Sequence, residues 1–489
     1  MSTATPSPID PQNIQGDILS GLPKKTETYI FFQISDDVSA FRSQLTHLVP
    51  LVTSTAQVLK DRDAIANHKQ SKKPGLVEIS GLNIAFSQSG LTKMGLTDDV
   101  QDAGFKAGML ADAQALGDAG TTANSKFDPN WVPAFKNPVH GVIFLSGDCH
   151  ATVSKRVRQV EQIFKVGAHD ATIHEVLRIV GDVRPDKESG HEHFGFLDGI
   201  SNPSVQGFDS APPPGAPAQV QPGVILLGRD GDSVPVGSRP SWTLDGSFLA
   251  FRYLFQLVPE FNEFLEKNPV QLPGLTPKEG SEFLGARLVG RWKSGAPLDL
   301  APLKDDPALG ADSQRNNSFN YTADSTDFTS QTRCPFAAHV RKTNPRNDLK
   351  QAFGADVAKN RIIRRGVQFG PELTELEKKE KKTQNGRGLL FVSYQSTLAN
   401  GFQFLQKSWA NQETFLGRAG VTKPGLDPII GQSNTDPTLR EMVGSDPDHP
   451  TNQLKFPQEW VVPRGGEYFF SPSIPALRDT IAEAVHIAA

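Results

Sequence analysis

A single histidine, His339, stands among small apolar residues in the run RCPFAAHVRKTNPR, Arg333 to Arg346, and is followed by Arg341, Lys342 and Arg346. A neutral imidazole can ligate a metal, and the cations after it suit a metal cofactor that carries carboxylates of its own, of which haem is the commonest. Arg341 and Arg346 are the candidates to neutralise those carboxylates. The plainer alternatives are a structural histidine and surface ion pairs.

A second chemical feature is GFLDGISNP, Gly195 to Pro203. Its glycines, Gly199 among them, permit a backbone path that larger residues resist and leave room for a planar cofactor beside Asp198. A carboxylate there could take a proton from peroxide and return it to the leaving oxygen, or it could simply close a turn. The third is RIIRRGVQFG, Arg361 to Gly370. In an extended strand Arg364 and Arg365 point to opposite faces, so only one can enter a given pocket and stabilise negative charge there. Alternation does not choose between them, and either could be a sheet-surface charge.

The segment His191-Glu192-His193 would place two imidazoles on one face of a strand, as a metal site does, but no third ligand is evident. A role in a loop near the cofactor edge is the preferred reading, with a redox-inactive metal hydrolase as a distant rival. His140, His150, His169 and His174 have no informative companions and read as structural. Two cysteines, Cys149 and Cys334, provide neither a disulfide framework nor a CxxC pair, which sets zinc-ribbon and iron–sulfur readings aside.

Composition narrows the rest. A formal charge of −4 lacks the basic footprint of a nucleic-acid binder. No apolar run is long enough to span a bilayer, and the polar, Pro-rich start MSTATPSPIDPQN does not read as a signal segment. Asn316-Asn317-Ser318 and Asn320-Tyr321-Thr322 match the glycosylation pattern and favour secretion weakly. The ratio of 30 Phe to 5 Tyr, with 4 Met and 2 Cys, favours side chains that resist oxidation, although compositional drift explains it nearly as well.

Elements that could position these residues follow from periodicity. At 489 residues the chain exceeds what one core usually organises. The Pro-rich stretch Ala211 to Gly223 marks a boundary between an N-terminal domain, 1–222, and a C-terminal domain, 223–489. Strands are expected over 27–34, 75–86, 140–147 and 171–183, and a helix over 151–166. Beyond the boundary, strands are expected at 247–258, 361–369 and 388–395, with a helix from about Pro259. Another helix carries Leu398, Phe402, Leu405 and Trp409 on one face. The charged run Glu372 to Lys382 reads as a solvated helix or loop between strands.

From NIQGDILSGLPKK, Asn13 to Lys25, across nearly the whole chain, the sequence resembles the fungal dye-decolorizing peroxidases, with the three motifs in the family's order. That resemblance implies an α+β fold of two ferredoxin-like domains, with antiparallel sheets and peripheral helices, in the dimeric α/β barrel-like superfamily. It implies one haem b per chain, reduction of hydrogen peroxide, and oxidation of bulky aromatic dyes and phenols. Asp198 then matches the distal acid–base residue, Arg364 the distal arginine and His339 the axial iron ligand. Asp427, in GLDPIIGQ, matches the carboxylate that bonds the ligand histidine. Leu389 and Phe391 match apolar residues over the distal face, with strand core as their alternative. Trp409 matches a tryptophan that passes electrons from surface-bound donors, and packing is its alternative. Phe369 stands where some relatives have a redox tyrosine.

The resemblance also implies an extracellular protein, with a cytoplasmic one as the alternative, and a monomer, with a homodimer as the alternative. A haem-binding or haem-delivery protein without peroxide turnover is the rival function. It would need neither Asp198 nor Arg364.

Overall fold

The computed structural model describes residues 8–321, 330–418, 420–433 and 440–483. Four strands of the main sheet come from the first half: β1 Thr26–Ile34, β2 Ser80–Phe86, β3 Gly141–Gly147 and β4 Ile173–Asp182. Helix α1, Val38–Leu48, follows β1, and α2, His150–Phe164, follows β3. Asp37 caps α1 by accepting from the Ala40 N–H, one of the donors that a helix start leaves unpaired. Val153, Val157, Val160 and Phe164 form the buried stripe of α2, as their spacing predicts.

The second half contributes β5 Ser247–Gln256, α3 Val258–Lys267, α4 Pro277–Val289 and α5 His339–Thr343. It then adds β6 Ile363–Arg364, β7 Val367–Phe369, β8 Gly388–Gln395 and β9 Val461–Ser471. The strand order is β4-β1-β3-β2-β9-β5-β8-β6, with β7 also on β8. All of these pairs are antiparallel. In each half the order is fourth, first, third, second strand, the ferredoxin-like arrangement. The halves join where Phe86 of β2 meets Phe470 of β9.

At the other edges β4 comes back against β7. A Cβ added at Gly181 would lie 2.4 Å from Val367 Cγ1 and 2.8 Å from the Gln368 carbonyl, so glycine allows the close approach. Rings from both halves fill the space between: Phe31 lies 5.0 Å from Phe135, 4.8 Å from Phe251 and 6.2 Å from Phe469. This core explains why β1 reads as a nearly continuous apolar run, since a strand covered on both faces has no polar side to show.

Three expectations need correction. The run 361–369 is not one strand: Arg365 and Gly366 interrupt it, and a Cβ on Gly366 would meet the Leu390 carbonyl at 2.7 Å. Strand β9 was not anticipated, because Pro463, Arg464, Gly465 and Gly466 hide its alternation and the register shifts there. The charged run holds a helix, Glu375–Glu380, that is not wholly solvated. Glu377 within it is buried and receives two hydrogen bonds from Arg387, at 2.9 and 2.7 Å. Ala211 to Gly223 carries a 3₁₀ turn, Pro222–Val224, and a bridge from Val220 to Val205.

Candidate active site

On the face of the second-half sheet lies a cavity whose empty space, open mouth included, is about 1740 Å³. Leu389 and Phe391 of β8 point into it, while Leu390 and Val392 between and beyond them are buried on the other side. The strand's period of two assigns these roles.

His339 opens α5 and lines the cavity with its side chain 27% exposed. Its Nδ1 is 2.9 Å from Asp427 Oδ2. Asp427 is wholly buried in the turn after Pro424, and its other oxygen accepts the N–H groups of Ile429 and Ile430 at 2.8 and 3.0 Å. Burial alone would push this carboxyl up, but the His339 ring and the two N–H donors outweigh it and hold the pKa below the ordinary value. An ionised Asp427 accepts the Nδ1 proton, which leaves the lone pair on Nε2. Among the described residues no protein group bonds that nitrogen.

Asp198 and Arg364 line the same cavity and meet at 2.6 Å. Asp198 Oδ1 also accepts the Gly199 N–H at 2.6 Å, and the Asp198 N–H donates to the Gly190 carbonyl at 3.0 Å. Burial opposes the Asp198 charge, yet the guanidinium and its hydrogen bond outweigh burial and keep the pKa low. Gly195 and Gly199 take left-handed φ values of 94° and 78°, which the turn requires. At Gly199 an added Cβ would meet nothing within 4 Å, so open space adjoins it. Asn202 fixes Arg364 from behind: its Oδ1 accepts the Arg364 N–H at 2.9 Å and its Nδ2 donates to the Arg364 carbonyl at 3.2 Å. Arg365 points the other way, to the carbonyls of Asp17 and Leu19.

Comparison with known proteins places the chain in a family. Residues 13–185 match the DyP dimeric alpha+beta barrel domain, and residues 228–418 match the C-terminal domain of Dyp-type peroxidases. A dye-decolorizing peroxidase of Mycetinis scorodonius is 43% identical over 98% of this chain and 89% of its own length. The chain belongs to the dye-decolorizing peroxidase family. A second relative, from Auricularia auricula-judae, is 41% identical over 96% of this chain and 86% of its own. A solved ancestral D-type dye-decolorizing peroxidase superposes with a TM-score of 0.92 at 59% identity, covering 98% of this chain and 100% of that one. A dye-decolorizing peroxidase in complex with 2,6-dimethoxyphenol superposes with a TM-score of 0.84 at 45% identity, covering 97% and 100%.

Dye-decolorizing peroxidases use haem, and the cavity suits it. Besides Arg364, four further arginines line the cavity: Arg252 is paired with Asp118, whereas Arg291, Arg346 and Arg361 have no carboxylate partner among the described residues. Arg346 donates to the Asn317 and Phe319 carbonyls at 3.1 and 2.9 Å, lies 3.7 Å from the Phe319 ring centre, and leaves Nε buried without a partner. Burial and the neighbouring Arg346 charge lower Arg291 to about 9. Burial with Arg346 and Arg364 lowers Arg361 to about 10. Such clustered, unpaired cations fit a group that brings its own carboxylates.

The structure moves several sequence candidates. Arg341 does not line the cavity. It donates to Asp348 at 2.8 and 3.0 Å and stacks on Phe336 and Tyr321, because residues two apart on a helix do not share a face with His339. Trp409 is 4% exposed and stands behind the cavity wall, stacked on Phe415 at 5.1 Å and edge-on to Phe404 at 5.3 Å. Its segment, Leu405–Ala410, is a π-helix, although Leu398, Phe402, Leu405 and Trp409 are all buried as expected. Phe369 packs on Tyr253 and Phe255.

His191 and His193 lie in a tight turn rather than on a strand, and the described residues hold no group of three metal-ligating side chains. His193 Nε2 is 2.9 Å from the Phe369 carbonyl, and burial lowers its pKa to about 4. Asn316 is buried and its amide donates to the Gly310 carbonyl at 2.8 Å, so a glycan cannot attach to the folded chain there. Thr322 of the second triplet lies outside the described residues.

Three contributors were not singled out from sequence. Arg361 sits in a quoted motif, but its neighbours drew attention from it. Arg291 is separated from the motifs by long loops. Glu192 braces the Asp198 turn by accepting the Phe194 and Phe196 N–H groups at 2.9 and 2.8 Å.

Proposed function

We propose that this peroxidase holds one haem b in the cavity, reduces hydrogen peroxide and oxidises bulky aromatic dyes and phenols. The observation that carries this reading is the Asp198–Arg364 pair at 2.6 Å in the cavity that His339 also lines. When bound, haem supplies the iron at which peroxide is cleaved and through which donor electrons pass.

Each side chain then has a defined task. Nε2 of His339 would hold the iron, and Asp427 fixes the imidazole tautomer and raises its basicity. A carboxylate oxygen of Asp198 takes the proton of incoming peroxide and returns it to the leaving oxygen. Arg364 keeps Asp198 ionised and stabilises charge that develops on that oxygen. Arg291, Arg346 and Arg361 would receive the propionates, and Leu389, Phe391 and the open space at Gly199 would accommodate the ring. The 2,6-dimethoxyphenol complex of a relative supports phenolic donors. Trp409 offers a route for donors too bulky to enter, by electron transfer through the packed rings around it.

Passive haem carriage requires neither a proton acceptor nor a guanidinium in the cavity. The test is peroxide-dependent oxidation of an anthraquinone dye and of 2,6-dimethoxyphenol by haem-loaded protein. Asp198→Asn is expected to reduce kcat/KM for peroxide by about 10²- to 10⁴-fold, the usual weight of general acid–base catalysis. Full activity in that variant would remove Asp198 from the mechanism, and no oxidation by wild type would remove the peroxidase reading.

A further inference from the structure

Only 5 tyrosines occur beside 30 phenylalanines, and three of them donate to carboxylates: Tyr29 to Glu27 at 2.6 Å, Tyr394 to Asp17 at 3.1 Å and Tyr468 to Asp112 at 2.7 Å. Tyr468 alone among these three also packs against a ring that lines the cavity. Its ring centre lies 6.1 Å from that of Phe402, which in turn lies 5.9 Å from Phe391, and both phenylalanines line the cavity. The rings around Tyr29 are Phe31, Phe144 and Phe251, none of which reaches the cavity.

We propose that Tyr468 is a redox-active side chain of this peroxidase, with Asp112 as its proton acceptor. The proposal rests on haem occupying the cavity. Removing an electron from a phenol makes its proton strongly acidic, so oxidation is favourable only where a base can take that proton at once. Asp112 Oδ2 is already hydrogen-bonded to it.

The step balances. Tyr468 gives one electron to the cofactor oxidised by peroxide; its O–H bond breaks, an O–H bond forms on Asp112, and a neutral phenoxyl remains. A reducing donor later returns the electron, and Asp112 returns the proton. Asp112 and the Lys407 ammonium bonded to it keep 12% and 29% exposure, so the pair lies close to the surface on this side of the cavity. Gln403 also donates to Asp112 Oδ2, at 2.7 Å, and holds it in place.

Tyr321 shows why proximity alone is insufficient. It lines the cavity itself, but the Arg341 guanidinium lies 4.5 Å from its ring centre, and Arg346 and Arg291 add positive charge nearby. Guanidinium groups cannot accept a proton, and their charge opposes a hole on the ring. Burial, with Asp112 beside it, pushes the Tyr468 phenol well above its ordinary value, so the resting side chain is protonated and oxidation alone releases the proton.

The experiment treats haem-loaded protein carrying ring-deuterated tyrosine with one equivalent of peroxide, freezes it, and records the electron paramagnetic resonance spectrum. Peroxide consumption is measured on the wild-type sample. The expected result is a radical signal that narrows on deuteration, is absent in Tyr468→Phe, and is weaker in Asp112→Asn, which keeps the ring but removes the base. A deuteration-sensitive signal that persists in Tyr468→Phe, or no such signal while wild type consumes peroxide, overturns the proposal and leaves the peroxidase function standing. An undiminished signal in Asp112→Asn refutes the role of Asp112. Failure of wild type to consume peroxide removes the function and the proposal together.

Discussion

Asp198 and Arg364, remote in sequence, form one unit: the guanidinium reaches the carboxylate at 2.6 Å in the cavity wall, and Asn202 locks the backbone that carries it. Burial would raise the Asp198 pKa, and Arg364 reverses that. The folded-state value therefore lies below the unfolded one of about 3.9. Stability from this pair is present above that pH and is lost as pH falls through the folded value.

Removing the guanidinium takes away the largest effects that oppose burial and leaves only the Gly199 N–H and His339 against it. Arg364→Leu should raise the Asp198 pKa, so that the acid limb of kcat/KM for peroxide moves to higher pH. At the pH optimum the rate should fall about 10²- to 10³-fold, as when one charge-stabilising donor is lost. A pH–rate profile checks both, and an unmoved acid limb would separate Arg364 from control of Asp198.

Asp427 is buried and bonded to His339 at 2.9 Å. Asp427→Asn retains the shape but loses the negative charge, so haem affinity should fall about 10- to 100-fold. The ferric–ferrous midpoint potential should rise, because a less basic ligand supports ferric iron less well. Redox titration reads the change, and an unaltered potential would show that the hydrogen bond has no electronic effect.

Arg252, on the cavity wall, donates two hydrogen bonds to Asp118, which also accepts from Trp131 Nε1 at 2.8 Å. Both ends of the ion pair are nearly inaccessible, at 3% and 0%. Asp118→Ala strands a buried cation beside the cavity and should cost about 3–5 kcal/mol. Urea unfolding measures it; a loss within error of zero would mean that water reaches Arg252.

The fold was legible where one physical rule dominated. The apolar run of β1 and the helical stripe of Val153, Val157, Val160 and Phe164 each announce their element. Strand β9 did not, because Pro463 and the Gly465-Gly466 pair break its alternation where the register shifts. In the site, His339 and Asp198 stood out because their motifs combine a reactive side chain with unusual neighbours, whereas alternation could not tell Arg364 from Arg365 and only the family resemblance chose it. Arg341 misled for a geometric reason: α5 is helical, so a cation two residues after His339 turns away from it. Arg291 and Arg361 were hidden because the property that marks them, a place on the cavity wall without a carboxylate partner, exists only after folding.

The most direct measurement is the absorption spectrum of His339→Ala during haem titration, beside wild type and the same variant with added imidazole. Wild type should bind one haem per chain with a sharp Soret band; the variant should bind weakly with an altered ferric spectrum, and imidazole should restore it. An unchanged spectrum and stoichiometry in His339→Ala would show that another group holds the iron.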